Sequence, residues 1–253
     1  MSSVTTRVRE VKQPYGGFIK PSSLHIDVYH DNFQLNEHES VASTIVGMAV
    51  DYLSRLSIGI PIREVFSLSI EGAIRAGKTK EALGYLSEIK GTDESSVINT
   101  CKLSAFDCWI RNPISAMHAT PPSELVIDKQ TVSNIQIMVQ RCNDFFAQNG
   151  PIIKTGFTFE PTGYTKIIDS GDGDYLTQNG LWDIKVLSSK LTSKHTLQIL
   201  VYWIMGLHSQ KPEFRSISML GIFNPRLNTS HAIQISDISE EIIDTVEHEV
   251  IGY

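Results

Sequence analysis

Apolar residues along the chain change their period near Pro151. Before it they follow helical spacing. Val41, Ile45, Met48, Tyr52 and Leu56 recur at steps of three and four, which predicts an amphipathic helix. Gly59-Ile60-Pro61 ends it, because a proline pushes the preceding residue out of the helical region. Residues 62–76 and 78–90 read as two more helices, broken at Gly77 and closed by Gly91. Asp93 or Ser95 caps the next, which runs to about Arg111 before Asn112-Pro113. Residues 113–129, with Pro121-Pro122, read as a connector. Thr131 then caps a strongly amphipathic helix with Val132, Ile135, Val139, Cys142 and Phe146 on one face, stopped by Asn149-Gly150-Pro151.

Beyond Pro151 the period shortens to that of strands. Ile152–Glu160 and Tyr164–Ser170 read as strands joined by Pro161-Thr162-Gly163. Asp174–Gln178 continues the sheet, Asn179-Gly180 signals a tight turn, and Leu181–Leu187 is the next strand. Residues 193–208 are helical, with Leu197, Leu200, Val201, Ile204 and Met205 on the buried side. Ser216–Phe223 and Ala232–Ile235 read as closing strands and 238–249 as an acidic terminal helix. Residues 1–38 have little periodicity and read as an extended arm. The expected organisation is therefore an arm (1–38), a helical annex (39–129) and a core (130–253), in an α/β or α+β class with a mixed sheet and a crossover helix.

Composition adds that 41% hydrophobic and 20% charged residues describe an ordinary globular protein. No apolar run approaches the roughly 20 residues of a membrane span, and the first residues lack a signal-peptide core, so no membrane partner and a cytoplasmic location are expected. Three cysteines, Cys101, Cys108 and Cys142, without a CxxC, fit reduced core thiols better than a disulfide framework or a zinc site. Cys101 and Cys108, seven apart, suit one buried helix face. The formal net charge of −6 conceals a division: residues 181–230 carry six Lys and Arg against two acids, while 231–253 carry six acids and no Lys or Arg. The basic zone includes Lys185, Lys190 and Lys194, and such local fields govern partners more than the total does.

Within that zone lies the stretch with candidate chemistry. A turn at Asn179-Gly180 sets the strands of Asp174 and Asp183 side by side, so their carboxylates can converge. Converging carboxylates repel unless a cation lies between them, and Mg²⁺ or Mn²⁺ prefers such oxygen ligands. The backbone carbonyl of Ile184 offers another oxygen. Lys185, two residues after Asp183, leaves the strand on the same face and can orient water or stabilise charge on a phosphate. A solvated Asp-Gly turn and an exposed Asp183–Lys185 pair are the plain alternatives. On the following helix Gln198 and Tyr202, at i and i+4, share a face with His195. That polar stripe suits backbone phosphates, support of a site, or a half-buried edge satisfied within the core. Arg226, in Asn224-Pro225-Arg226-Leu227-Asn228, suits a phosphate contact or a turn. Trp182 and Trp203 read as core.

The ordered set Gly171-x-x-Asp174, Asp183-Ile184-Lys185 and Gln198-x-x-x-Tyr202 resembles the PD-(D/E)XK nuclease superfamily, in its RecB-like and lambda-exonuclease-like branch, over roughly residues 130–235. The resemblance implies a restriction-endonuclease-like core in which Asp174 and Asp183 bind Mg²⁺ or Mn²⁺, Lys185 acts in catalysis, and Gln198 and Tyr202 support the site or the bound strand. It implies a deoxyribonuclease, in an exonuclease-like branch, that hydrolyses DNA with metal-activated water, lined by Lys190, Lys194, His195 and Arg226. That branch usually has an upstream G-x-x-x-H whose His is a metal ligand; here Gly47-Met48-Ala49-Val50-Asp51 places Asp51 there, with Glu64 and Glu71 as competitors. Relatives with an iron-sulfur cluster carry four cysteines, so no cluster is expected. Homo-oligomers and a bacterial or phage setting also follow from the resemblance alone. The alternatives are a catalytically inactive nuclease fold that binds nucleic acid or a protein partner, and an unrelated α/β scaffold with a structural acidic turn.

Overall fold

In the computed structural model, which describes residues 2–253, the chain forms two compact units, Met1–His30 with Phe146–Tyr253, and Asp31–Phe145. It begins with a short strand β1 (Ser2–Ser3), helix α1 (Val4–Glu10) and strand β2 (His25–Val28). The helical unit follows, with α2 (Ser43–Ser57), α3 (Ile62–Val65), α4 (Ser67–Arg75), α5 (Thr79–Glu88), α6 (Glu94–Ser104), α7 (Cys108–Arg111) and α8 (Pro113–Ala116). Helix α9 (Lys129–Asn149) leads to β3 (Ile152–Phe157), β4 (Ile168–Ser170), β5 (Gly173–Thr177) and β6 (Gly180–Ile184). Then come α10 (Ser193–His208), β7 (Met219–Asn224), β8 (Thr229–Gln234) and α11 (Glu240–Thr245), which continues as a π-turn over Val246–Ile251.

The main sheet has the order β2-β8-β7-β6-β5-β3. All neighbours are antiparallel except β6 and β7, which run parallel and are joined by α10, as a parallel pair requires a crossover. Strand β6 is buried at every position, so it reads as apolar except at Asp183. Leu176, Leu181, Leu220 and Ile222 pack with Leu197, Leu200, Val201 and Met205 of α10 in one core. Strand alternation therefore turns Asp174, Asp183 and Lys185 towards the α10 side, together with Leu176 and Leu181. On the opposite face Phe146 packs against Tyr175 at 4.5 Å between ring centres. Trp182 and Trp203 are buried, as expected for core residues.

The first thirty residues depart from the expected arm. Val4, Val8, Ile19 and Leu24 are buried in the same core as α10. Strand β1 pairs in parallel with β4, and β2 extends the main sheet beside β8. Arg7 donates from Nε to the Val250 carbonyl at 2.8 Å and from Nη2 to that of Glu249 at 2.7 Å, which ties α1 to the C-terminal π-turn. The sequence hides this because four apolar residues spread over twenty positions make no period, although each is individually buried. The expected core boundary at residue 130 shifts accordingly: the sheet unit takes in residues 1–30 and begins again only at Phe146.

In the helical unit Tyr52, Phe66, Ala73, Ala82, Leu103 and Phe106 form a separate core. The helix expected to run to Arg111 is broken by a 3₁₀ turn at Ala105–Asp107. That break seats a buried Asp107, which accepts hydrogen bonds from the Tyr52 hydroxyl and, at 2.6 Å, from Ser69 Oγ. It also parts Cys101, buried on α6, from Cys108, half-buried on α7. Burial pushes the Cys101 thiol up to about 12, so it is inert. Among the described residues no helix is long and apolar enough to cross a membrane.

Candidate active site

The site is built where β5 and β6 part. Their ladder pairs Leu176 with Leu181 and Tyr175 with Trp182. One step further the backbone bond is replaced: Asp174 Oδ2 accepts from the Ile184 N–H at 2.8 Å. A side chain has taken the place of a strand, and β6 continues with β7 alone, where Asp183 faces Ile222, Ile184 faces Phe223, and the Lys185 N–H reaches the Phe223 carbonyl at 3.0 Å. The turn itself is Gln178-Asn179, and Gly180 already belongs to the strand.

Asp183 is 2% exposed and its Oδ2 lies 2.6 Å from Lys185 Nζ. An ion pair in so dry a place is tight because each charge loses water on burial and must be compensated by the other. Burial would lower the Lys185 pKa, but Asp183, Asp174 and Asp172 together outweigh it and hold the ammonium above its ordinary value. The same three carboxylates act on Tyr202: burial first, then Asp183, Asp172 and Asp174, raise its hydroxyl well above the usual range. Tyr202 therefore stays a neutral O–H. Its oxygen accepts from Gln198 Nε2 at 2.7 Å, which leaves its proton to be given away. The structure thus brings Asp174, Asp183, Lys185, Gln198 and Tyr202 to one place, where with Asp172 there are three carboxylates against one ammonium.

His195 has a second task that the sequence did not indicate. The N–H of Thr192 donates to His195 Nδ1 at 3.1 Å, closing a capping box at the start of α10. An accepting Nδ1 carries no proton, so the neutral ring bears its hydrogen on Nε2. Burial, and then the charge of Lys185, lower its pKa to about 4, consistent with that neutral form. Lys190 and Lys194 are exposed on either side of the cap. Arg226 sits in the β7–β8 turn, its N–H donating to Asn224 Oδ1 at 3.0 Å.

Two site residues were missed from sequence. Asp172 looked like part of a solvated turn, yet its charge reaches both Lys185 and Tyr202. Asn224, buried at the end of β7, donates Nδ2 to the Leu187 carbonyl at 2.9 Å and accepts from its N–H at 3.3 Å, which pins the loop that follows Lys185. An Asn before a proline at a strand end was its only signal. The turn carrying Asp172 is fixed at Gly171, whose carbonyl accepts from Tyr164 OH at 2.7 Å. A Cβ there would stand 2.7 Å from Val4 Cγ2, so only glycine admits α1 so close.

Asp51 belongs to the helical unit, where Arg55 one turn along binds both its oxygens, Nε to Oδ1 at 3.1 Å and Nη2 to Oδ2 at 2.8 Å. In this structure the carboxylate that stands at the position of the ligand His takes part in an i,i+4 ion pair. Glu71 is likewise paired, with Arg75 at 2.7 Å.

Among the described residues no three His, Cys, Asp or Glu side chains are grouped to hold a metal by themselves. Mg²⁺ is commonly bound by one or two carboxylates and several waters. Asp174, Asp183 and the Ile184 carbonyl fit that kind of donor set, in a cluster whose acids exceed its cation. Compared with protein-family models, with curated proteins and with solved structures, the chain finds no match.

Proposed function

We propose that this protein is a divalent-metal-dependent nuclease that hydrolyses DNA phosphodiester bonds, built on a restriction-endonuclease-like core of the RecB-like branch. The reading rests above all on one arrangement: Asp174 at the parting of two strands, Asp183 on the second with Lys185 just past its end, and the Gln198–Tyr202 pair facing them from the crossover helix. The order α9-β3-β5-β6-α10-β7, with these residues on β5, on or just after β6, and on α10, supports it further.

In this mechanism Asp174, Asp183 and the Ile184 carbonyl would hold Mg²⁺ or Mn²⁺. Such an ion would supply Lewis-acid polarisation of the phosphoryl group and lower the pKa of water. Lys185 presents its ammonium to the phosphoryl oxygens, where negative charge grows in the transition state. Tyr202, kept protonated by burial and then by the nearby carboxylates, and held by Gln198, has its proton to donate within the same cluster. Burial of Asp183 excludes water from the ion pair and strengthens each of these contacts.

The decisive experiment is cleavage of linear and covalently closed circular DNA in Mg²⁺ or Mn²⁺, with Lys185→Ala and Asp183→Asn as controls. Loss of a transition-state contact of this kind lowers turnover by about a hundredfold or more, so both variants are expected to be inactive. Wild type should also gain thermal stability on titration with the ion, as any ligand of the native state confers, and Asp183→Asn should not. Degradation of linear DNA alone identifies an exonuclease. Cleavage that survives in Lys185→Ala overturns the assignment. No cleavage by wild type, with nucleic-acid binding retained, leaves the inactive binding module in its place.

A further inference from the structure

Tyr15 is a fully exposed aromatic held on a fixed support. It occupies the corner of a turn from Pro14 to Gly17, closed by the Gly17 N–H to the Pro14 carbonyl at 2.8 Å, with Gly16 at φ +85°. That is the type II pattern, which requires glycine at its third position. Gly17, at φ +97°, seats the turn on the crossover helix: a Cβ there would lie 2.3 Å from Ser193 Cβ. Two residues on, Ile19 is bound through its carbonyl by Thr196 Oγ1 at 2.6 Å. A single exposed aromatic is by itself unremarkable on a protein surface. One held on a glycine-built turn against the first turn of α10, beside the candidate site, has surroundings that specify a ligand.

The turn and the start of α10 carry lysines and no acid of their own: between Val11 and Leu24, and between Ile184 and Pro212, there is no Asp or Glu. The stem of Lys20 lies along the turn, 3.2 Å from the position of a Gly16 Cβ. Lys190 and Lys194, both exposed, flank the cap of α10, whose N-terminal dipole adds to their field. His195, on the same turn of helix, is near enough to Lys185 to feel its charge. An exposed aromatic with Lys20 along its own turn, seated on the helix start that carries Lys194, suits a single strand of nucleic acid. Bases stack on the ring and the backbone runs past the cations. In a duplex the base faces are stacked away, except at its ends, so a ring of this kind has less to stack on.

We propose that the Pro14–Gly17 turn and the start of α10 form a binding surface for single-stranded nucleic acid, with Tyr15 stacking on a base and Lys20, Lys190 and Lys194 holding the phosphates. This deepens the nuclease reading, on which its link to catalysis rests, by naming the form of substrate presented to the site.

The test is fluorescence anisotropy with a labelled oligodeoxythymidylate and a labelled blunt duplex, in chelator so that nothing is cleaved. Wild type should prefer the single strand. Tyr15→Ala should weaken that binding by about five- to a hundredfold, the range measured for loss of one base stack, and leave duplex binding and the unfolding midpoint unchanged. Tyr15→Phe should bind as wild type. The Lys190→Gln/Lys194→Gln protein should bind both substrates less well, with a salt slope for the single strand shallower by roughly 0.7 per lysine. Absence of single-strand preference in wild type, or unaltered binding by Tyr15→Ala, overturns the proposal. Binding that depends on Tyr15 without any cleavage in Mg²⁺ would instead defeat only the nuclease reading.

Discussion

At the scale of single residues, the chemistry of this chain lies in polar groups placed where apolar ones would be easier to bury. Asp183 stands in a strand buried throughout, and its nearest compensation is Lys185. His195 shows how the same economy extends to the helix that carries Gln198 and Tyr202. Its Nδ1 is the acceptor that satisfies the Thr192 N–H, and protonation of that nitrogen abolishes the bond. The folded value of about 4 is below the ordinary 6.5, so between the two the unfolded chain binds more protons and stability must fall as pH drops. The contribution is complete above about 6.5 and lost by about 4. Gln at this position keeps an acceptor that does not titrate, as in the common form of the capping box. Urea midpoints measured from pH 7 to pH 4 are therefore expected to fall more steeply for wild type than for His195→Gln. His195→Ala should be about 1 kcal/mol less stable at neutral pH, as for other lost caps. Parallel pH curves for wild type and His195→Gln would show that the cap is not the titrating contact.

At the scale of elements, what the sequence made legible was what repeats. The crossover helix is found at its expected bounds, 193–208, because its apolar stripe and its polar start are both strong signals. The strands on either side of Asn179-Gly180 were also evident, as was the convergence of Asp174 with Asp183-x-Lys185. The parting of β5 from β6 was not evident, since it depends on a carboxylate substituting for a backbone acceptor, which no propensity encodes. Nor was the break at Ala105–Asp107, where a buried acid needs the hydroxyls of Tyr52 and Ser69 more than the helix needs its regular bonds. Similar long-range polar pairing fixes the entry to the helical unit. Arg141 on α9 reaches Asp31 through Nε at 2.6 Å and Nη2 at 3.0 Å, and also holds the Phe33 carbonyl at 3.3 Å. Hydrogen bonding from Arg141 keeps the Asp31 carboxyl below its ordinary pKa and outweighs its partial desolvation. Asp31→Asn removes the negative charge opposite the Arg141 guanidinium, and because Asp31 itself is open to solvent the expected cost in chemical denaturation at pH 7 is about 1 kcal/mol. The sign of its pH dependence follows from the lowered pKa: the stabilisation is present above the unfolded value near 3.9 and disappears as acid protonates Asp31 in the folded state. The gap between wild type and variant should therefore close below about pH 4.

At the scale of the whole molecule, the sheet unit is discontinuous in sequence, and this has a consequence for which part of the chain can fold. The reading from periodicity would cut the chain near residue 130 and treat what precedes 39 as an appendage. The structure gives the sheet unit residues 1–30 as an integral part. Val4, Val8, Ile19 and Leu24 are at most 5% exposed, and burying each contributes roughly 1.5–3 kcal/mol. Their joint contribution, about 6–12 kcal/mol, is comparable to the entire stability of a typical domain, about 5–15 kcal/mol. Removal of residues 2–30 also uncovers β8 by taking away β2, and frees the Val250 and Glu249 carbonyls bound by Arg7. A fragment spanning residues 130–253 is thus expected to lack a cooperative unfolding transition and a dispersed amide spectrum. The same fragment preceded by residues 1–30 through a flexible linker should recover both. Cooperative unfolding of 130–253 alone would mean that the core closes without its first segment, and that the sequence period, not the packing, had marked the true boundary.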